Sequence, residues 1–152
     1  MMKKISMFAL GLAIALPIFS GSAQAQFAKA EDAVKYRQSA FQLMSSHFGR
    51  MQPVVRGQVP YDKAAIKANV DLLKTLSALP GAAFGPGMTG GAAKPEVWSD
   101  STGFKQAMEN YQASLAKLSA AADAGDLDKL RVAFGETGAS CKACHDSYRA
   151  KK

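Results

Sequence analysis

The stretch that decides the fold is Leu127–Tyr148 near the C-terminus, which reads LDKLRVAFGETGASCKACHDSY. It follows Asp126, and aspartate commonly caps the N-terminus of a helix. Large and apolar side chains recur along it at steps of three, four and seven: Leu127, Leu130, Phe134, Cys141, Cys144 and Tyr148. This spacing predicts a long amphipathic helix. The basic residues that follow it suit the negative end of a helix dipole.

Inside this segment lies the motif Cys141-Lys142-Ala143-Cys144-His145. Residues three and four apart share a helix face, so the two thiols and the imidazole are expected to project together. A redox-active Cys-x-x-Cys pair usually opens a helix after a strand, whereas this pair lies deep in a helical segment. The histidine directly after the second cysteine is the signature of covalent haem attachment. We therefore predict one haem c bound through Cys141 and Cys144, with His145 as an axial ligand of the iron.

Three further segments show the same helical spacing of apolar residues. The first carries Val34, Arg37, Phe41, Met44, Phe48, Met51 and Val55. The second carries Ile66, Val70, Leu73, Leu76 and Leu79. The third carries Phe104, Met108, Tyr111, Leu115, Leu118 and Ala122. Four such segments predict an all-α fold, an antiparallel four-helix bundle with the haem near the C-terminal helix.

Helix boundaries can be predicted from caps and breakers. Asp62 and Asp126 are placed to cap the second and fourth helices, and Gly125 is placed to end the third. Pro53 predicts a kink or an irregular end of the first helix. The segment from Pro80 to Pro95 contains five glycines and three prolines, so it is predicted to hold no regular element. A loop of this length is a candidate cover for the edge of a bound group.

The N-terminal residues have the pattern of a secretory signal peptide. Two lysines precede the apolar run Ile5–Phe19, and the small residues Ala23 and Ala25 then form an A-x-A cleavage pattern. The run is too short to span a bilayer as a helix. We therefore expect residues 1–25 to be removed and residues 26–152 to form one domain in the periplasm, not embedded in a membrane.

The charge of the chain is mildly basic. Removal of the signal peptide takes two lysines away and lowers the formal net charge from +7 to +5. Basic residues are interspersed with aspartate and glutamate along the predicted helices, which is typical of a solvated surface. Together with export, this makes nucleic acid an unexpected partner.

The second axial position of the iron has no obvious ligand. Only seven residues follow His145, and none of them is methionine or histidine. Any second ligand must therefore come from the upstream residues Met44, Met51, Met88, Met108 or His47. Met44, Met51 and Met108 lie on apolar seams and are expected to fill the core, whereas Met88 lies in the glycine-rich loop and could swing. His47 lies off the first seam and is expected to be exposed.

Arg37 interrupts the apolar seam of the first helix. Burying an unpaired guanidinium is costly, and a haem propionate is a suitable carboxylate partner for it. We predict this pairing, with Gln38 as a second donor to the same group. The alternative is that Arg37 extends to solvent from the end of the helix. One turn later, Phe41 could lie over the open face of the haem or could be an ordinary core residue.

The sequence resembles the cytochrome c′ family over the whole of residues 26–152. The resemblance rests on four stretches: Tyr36-Arg37-Gln38, Val55-Arg56-Gly57 through Pro60-Tyr61, Phe84-Gly85-Pro86-Gly87, and Gly138 to His145 with Arg149. It implies an up-down-up-down topology for the bundle, together with a five-coordinate, high-spin haem whose distal face is covered by Phe41 and whose proximal face is flanked by Arg149. It also implies haem contacts from Arg37, Gln38 and Phe84, and a homodimer packed through the first helices.

The function implied by this resemblance is binding of nitric oxide and carbon monoxide, transfer of single electrons, or both, with an unidentified redox partner. The alternative is a six-coordinate, low-spin electron carrier with a distal methionine. We do not expect an enzyme such as a peroxidase, because peroxide cleavage needs a distal acid or base and the first seam offers Phe41 and Met44 instead.

Overall fold

A computed structural model describes residues 26–151, so the predicted signal peptide lies outside the described residues. In chain order, the helices are α1 (Ala30–Arg50), α2 (Gln52–Val55), α3 (Lys63–Ser77), α4 (Glu96–Ser99), α5 (Ser101–Ala124) and α6 (Leu127–Tyr148). The four long helices α1, α3, α5 and α6 form the bundle, which confirms the predicted all-α four-helix fold. The short helices α2 and α4 belong to the connections.

The helix ends follow the predicted capping residues. The Asp62 side chain accepts a hydrogen bond from the Ala65 amide at 3.1 Å, and Asp126 accepts one from the Lys129 amide at 3.0 Å. Gly125 ends α5 in the left-handed conformation, with φ of 75°. Because an ordinary side chain is strained at this φ, glycine is the residue expected there.

Each long helix contributes one face to a common apolar core. Its fully buried members include Met51, Val70, Leu73, Leu115, Leu118 and Leu130. Met44 and Met51 both lie in this core, as the seam pattern predicted, and are not free to move toward a cofactor without opening it. The core therefore fixes the relative heights of the helices.

Neighbouring helices pack in chain order, α1 with α3, α3 with α5, and α5 with α6. Between α5 and α6, short side chains allow close approach: the Ser114 and Ser140 hydroxyl oxygens are 3.0 Å apart. The bundle closes between α1 and α6, where the rings of Phe48 and Phe134 stack with centroids 4.1 Å apart. Since successive helices alternate in direction, α1 and α6 run antiparallel.

The segment from Pro80 to Pro95 differs from the prediction in its first part. Pro80–Phe84 forms a 3₁₀ helix, so the expectation of no regular element is wrong for these five residues. Proline at the first position presets the helical φ, and Ala83 packs into the interior. Beyond Gly85 the chain is irregular, with positive φ at Gly87 and other glycines.

In the part of the chain that the structure describes, no helix has the length and apolar content needed to cross a membrane.

Candidate haem site

The predicted attachment residues lie together on the last two turns of α6. Cys141, Cys144 and His145 are all half-buried. Both cysteines are free thiols and no disulfide joins them. Burial raises the pKa of each thiol, so both are neutral near pH 7. The motif therefore presents two protonated thiols one helical turn apart, the arrangement required for two thioether bonds to one porphyrin.

The surroundings of His145 favour the neutral form of its imidazole. Burial lowers the pKa of its imidazole, the positive charge of Arg149 lowers it further, and Asp146 opposes the shift. A neutral imidazole keeps one nitrogen lone pair free for a metal. A cavity of ≈ 370 Å³ beside it is lined by Ala92, His145, Asp146, Arg149, Ala150 and Lys151. Arg149 thus lies beside His145, although its predicted contact with a haem remains a prediction.

The register between α1 and α6 sets Phe41 at the height of His145. A Cβ atom built on Gly138 lies 3.7 Å from Cζ of Phe48, so these two residues face each other. Phe41 precedes Phe48 by seven residues, and His145 follows Gly138 by seven. Seven residues are nearly two turns, which returns each helix to almost the same face. Because the helices are antiparallel, this register sets Phe41 and His145 at the same height of the α1/α6 gap.

A row of aromatic rings connects these two sides of the bundle. The Phe41 centroid is 6.3 Å from that of Phe84, Phe84 is 4.9 Å from Phe104, and Phe104 is 5.3 Å from Tyr148. All four residues are half-buried, and they come from α1, the 3₁₀ helix, α5 and α6 respectively. Phe41 and Phe84 were predicted to contact the haem, whereas Phe104 was expected to be an ordinary residue of its apolar seam.

Arg37 is buried, with 3 % of its surface exposed, so the alternative of an arginine extended to solvent is wrong. Its guanidinium donates to three backbone carbonyls of the glycine-rich segment, those of Ala83 (2.7 Å), Met88 (2.7 Å) and Gly90 (2.6 Å). It also lies 4.7 Å from the ring centroid of Phe84. Arg37 therefore ties α1 to this segment, a role that the sequence did not reveal.

Pairing of Arg37 with a haem propionate remains a prediction. Three of the five guanidinium N–H groups are engaged with carbonyls, which leaves two for a further acceptor. Gln38 lies on the same turn, and its amide nitrogen is 3.1 Å from a Cβ built on Gly91. Both predicted contact residues therefore border the glycine-rich segment.

The residues considered as a second iron ligand are held in place by different contacts. Met44 and Met51 are buried in the core, and Met88 and Met108 are half-buried. His47 was expected to be exposed but is half-buried. Its Nδ1 lies 2.7 Å from Oδ1 of Asn69, whose amide group donates to the His47 carbonyl at 2.6 Å. His47 is therefore held at the α1/α3 seam.

These residues fit a covalently bound haem. The α6 motif supplies two thiols and a neutral imidazole on one face, and the aromatic row supplies a half-exposed apolar wall suited to a flat macrocycle. The buried guanidinium of Arg37 adds a donor that can pair with a propionate carboxylate at the edge of the haem.

Comparison with known proteins agrees with this chemistry. Residues 32–149 match the family model of cytochrome c′. A cytochrome c′ from Alcaligenes xylosoxydans xylosoxydans is 73 % identical over 127 residues, which cover 84 % of this chain and 100 % of that protein. A cytochrome c′ from Rubrivivax gelatinosus is 47 % identical over 129 residues, covering 83 % of this chain and 100 % of that one.

A similar solved structure is the nitric oxide complex of a leucine-to-alanine variant of cytochrome c prime from Alcaligenes xylosoxidans. It is 72 % identical, has a TM-score of 0.83, and covers 84 % of this chain and 100 % of that chain. The α6 motif, the bundle and these similarities together show that this chain belongs to the cytochrome c′ family and carries one covalently bound haem c.

Proposed function

We propose that this protein is a five-coordinate, high-spin haem protein that binds nitric oxide and carbon monoxide. Cys141 and Cys144 hold the haem covalently, and His145 is the single axial ligand that the protein supplies. The haem iron, when bound, supplies the chemistry of diatomic binding and one-electron transfer. The chain's own residues determine which ligands can approach it.

The observation that carries this proposal is the register of α1 and α6, which sets Phe41 at the height of His145. Phenylalanine has no atom that can ligate iron, and its ring would cover the face of a bound haem that is turned away from His145. Its packing on Phe84 restrains the ring. A small neutral diatomic can displace such a ring locally, whereas the apolar surroundings disfavour a bound water.

The solved nitric oxide complex of the Alcaligenes relative supports the proposed ligand. That relative shares 72 % of its residues with this chain over its whole length, so a gas-binding site of the same kind is expected here. Single-electron transfer to a redox partner is compatible with the same haem.

The second candidate is a six-coordinate electron carrier with a methionine on the distal side. Met44 is the relevant residue, because it lies one turn from Phe41 on the same helix. It is 7 % exposed and belongs to the buried core, so ligating iron would require it to leave that packing. We therefore favour the five-coordinate proposal.

We also propose export to the periplasm and a homodimer formed through α1 and α3. The contact of His47 with Asn69 aligns the two helices. Leu43 lies one turn before His47, and Leu72 one turn after Asn69, so in an antiparallel pair these two leucines lie close together on the outer surface. They are 48 % and 42 % exposed. Two adjacent exposed leucines are suited to burial against a second copy.

The experiment that tests gas binding is an equilibrium titration of the ferrous holoprotein with carbon monoxide. We expect a saturable change in the haem absorption spectrum with one ligand bound per haem. A spectrum that does not change in carbon monoxide-saturated buffer would instead support the six-coordinate electron carrier.

A further inference from the structure

The last turn of α6 is closed by a residue from elsewhere in the chain. The final four carbonyls of a helix lack partners within it, and in α6 these belong to residues 145–148. The first accepts from the Arg149 amide at 3.1 Å. The next two accept from Nζ of Lys94 at 2.8 and 3.1 Å, and the last accepts from the Lys94 amide at 3.0 Å. Lys94 therefore satisfies three of the four carbonyls.

The neighbouring backbone extends this attachment. The Ala150 amide donates to the Ala92 carbonyl at 2.9 Å, and Ala93 and Arg149 form an isolated antiparallel bridge. Two short extended stretches thus lie side by side just beyond α6. The segment that contains Lys94 is fixed at its other end by the three hydrogen bonds from Arg37 on α1. It spans the bundle from the Phe41 side to the His145 side.

The charge of Lys94 is well placed for this role. The carbonyl end of a helix carries partial negative charge, and an ammonium group on its axis is stabilising. Lys94 as a whole is half-buried, and both of its Nζ hydrogen bonds lie at the surface, so solvent screens part of this attraction. The carbonyls of Asp146 and Ser147 that accept from Nζ directly follow His145 in the chain.

We propose that Lys94 is a positioning residue for the iron ligand: by closing the last turn of α6 it holds the imidazole of His145 in a fixed orientation. This proposal rests on the proposed ligation of iron by His145. Lys94 does not touch the reacting atoms but acts through the helix end. Without its ammonium group two carbonyls lose their donor, the last turn frays, and the iron–imidazole bond samples a wider range of orientations.

The test uses the ferrous holoprotein and three variants. Lys94→Met removes the ammonium group and keeps the alkyl stem, whereas Lys94→Arg keeps the charge. Lys105→Met is the matched control, because it removes the same charge from an exposed lysine of α5 that pairs with Glu109 at 3.6 Å. Two quantities are measured: amide hydrogen exchange at residues 145–149, and the iron–histidine stretching band by resonance Raman spectroscopy.

We expect Lys94→Met to accelerate exchange at residues 145–149 by about tenfold, with α1 and α3 unchanged, and to shift or broaden the iron–histidine band. Lys94→Arg should keep both the exchange rate and the iron–histidine band close to those of the wild type, and Lys105→Met should change neither. An unchanged band and unchanged exchange in Lys94→Met would overturn the proposal. Faster exchange throughout the bundle would overturn it too, because it would show a general loss of stability.

The same measurements distinguish a failure of the positioning role of Lys94 from a failure of iron ligation by His145. If the wild-type protein shows no iron–histidine band, the five-coordinate haem with His145 as its protein ligand is wrong, and the positioning role falls with it. If the band is present but insensitive to Lys94, only the positioning role is wrong. Should Lys94→Met fail to accumulate as holoprotein, Lys94→Gln supplies a neutral side chain that can still donate one hydrogen bond, and a smaller change in the same direction is expected.

Discussion

At the scale of single residues, the proposed function makes the type of side chain at position 41 decisive for what can reach the iron. A methionine or histidine at this position could ligate the iron, whereas a phenylalanine can only block the approach of other ligands. Phe48 provides a useful comparison, because it lies seven residues later on the same face and its ring stacks on Phe134. The two rings belong to the same packed seam, but the register of α1 and α6 sets Phe41, and not Phe48, at the height of His145.

Phe41→Ala should therefore accelerate carbon monoxide association with the ferrous protein by about tenfold or more. The expected reason is that the ligand no longer displaces a packed ring, and each 1.4 kcal/mol removed from a barrier is about tenfold in rate. Stopped-flow mixing measures this rate. Phe48→Ala is the control, since it should lower the melting temperature without changing association. Equal rates for Phe41→Ala and wild type, with a lowered melting temperature, would make Phe41 an ordinary core residue.

At the scale of the elements, the start of α5 and the end of α6 are joined at one point. Asp100 accepts from the Gly103 amide at 3.1 Å as the N-cap of α5 and also accepts from the Tyr148 hydroxyl at 2.8 Å. This second bond raises the pKa of Tyr148 to about 12, so the hydroxyl stays protonated and donates at any pH near neutral. A Cβ on Gly103 would lie 2.5 Å from the Tyr148 hydroxyl oxygen and even closer to Oδ2 of Asp100.

Gly103→Ala is expected to lower the free energy of unfolding of the holoprotein by about 1–3 kcal/mol, because the added methyl group must displace the cap or the tyrosine. Gly135→Ala is the matched control. A Cβ at Gly135 meets nothing within 4 Å, and alanine in a helix interior is worth about 0.5–1 kcal/mol over glycine. The free energy of unfolding, measured by denaturant titration, should therefore fall in Gly103→Ala and rise in Gly135→Ala. A stabilised Gly103→Ala protein would show that this junction tolerates a side chain.

The elements that could be predicted from the sequence are those with a local signal. Three-and-four spacing predicted the long helices, and side-chain chemistry predicted the caps at Asp62 and Asp126. The partners of Arg37 and Lys94 could not be predicted, because they are carbonyls of a segment whose path depends on tertiary packing. The 3₁₀ helix at Pro80–Phe84 was missed for a related reason, since the density of breakers obscured a short turn fixed by burial of Ala83.

At the scale of the whole molecule, the exposed apolar residues are unevenly placed. Among the described residues, the exposed large apolar side chains are Leu43 on α1, Val59 before α3, Leu72 on α3 and Val132, which is 65 % exposed, on α6. Of these four, Leu43 and Leu72 are brought near each other by the register of α1 and α3 at His47 and Asn69. Leu43 and Leu72 are therefore the residues that we propose for the centre of the homodimer interface.

Leu43→Glu should convert the dimer to a monomer, because it places a charge at the centre of the proposed interface, where burial without a partner is costly. Sedimentation velocity of the holoprotein at tens of micromolar measures the change. Val132→Glu is the matched control and should leave the dimer intact. A wild-type protein that sediments only as a monomer at these concentrations would refute the dimer.

We propose that the haem iron has one protein ligand, His145, and that Phe41 covers the other face of the haem. The absorption spectrum of the ligand-free ferrous holoprotein distinguishes this arrangement from a six-coordinate haem. With His145 as the only axial ligand, the iron is five-coordinate and high-spin, and we predict a broad visible band without a sharp alpha band. A sharp, low-spin alpha band in the absence of added ligand would contradict the account, because it would show a second protein ligand on the side assigned to Phe41.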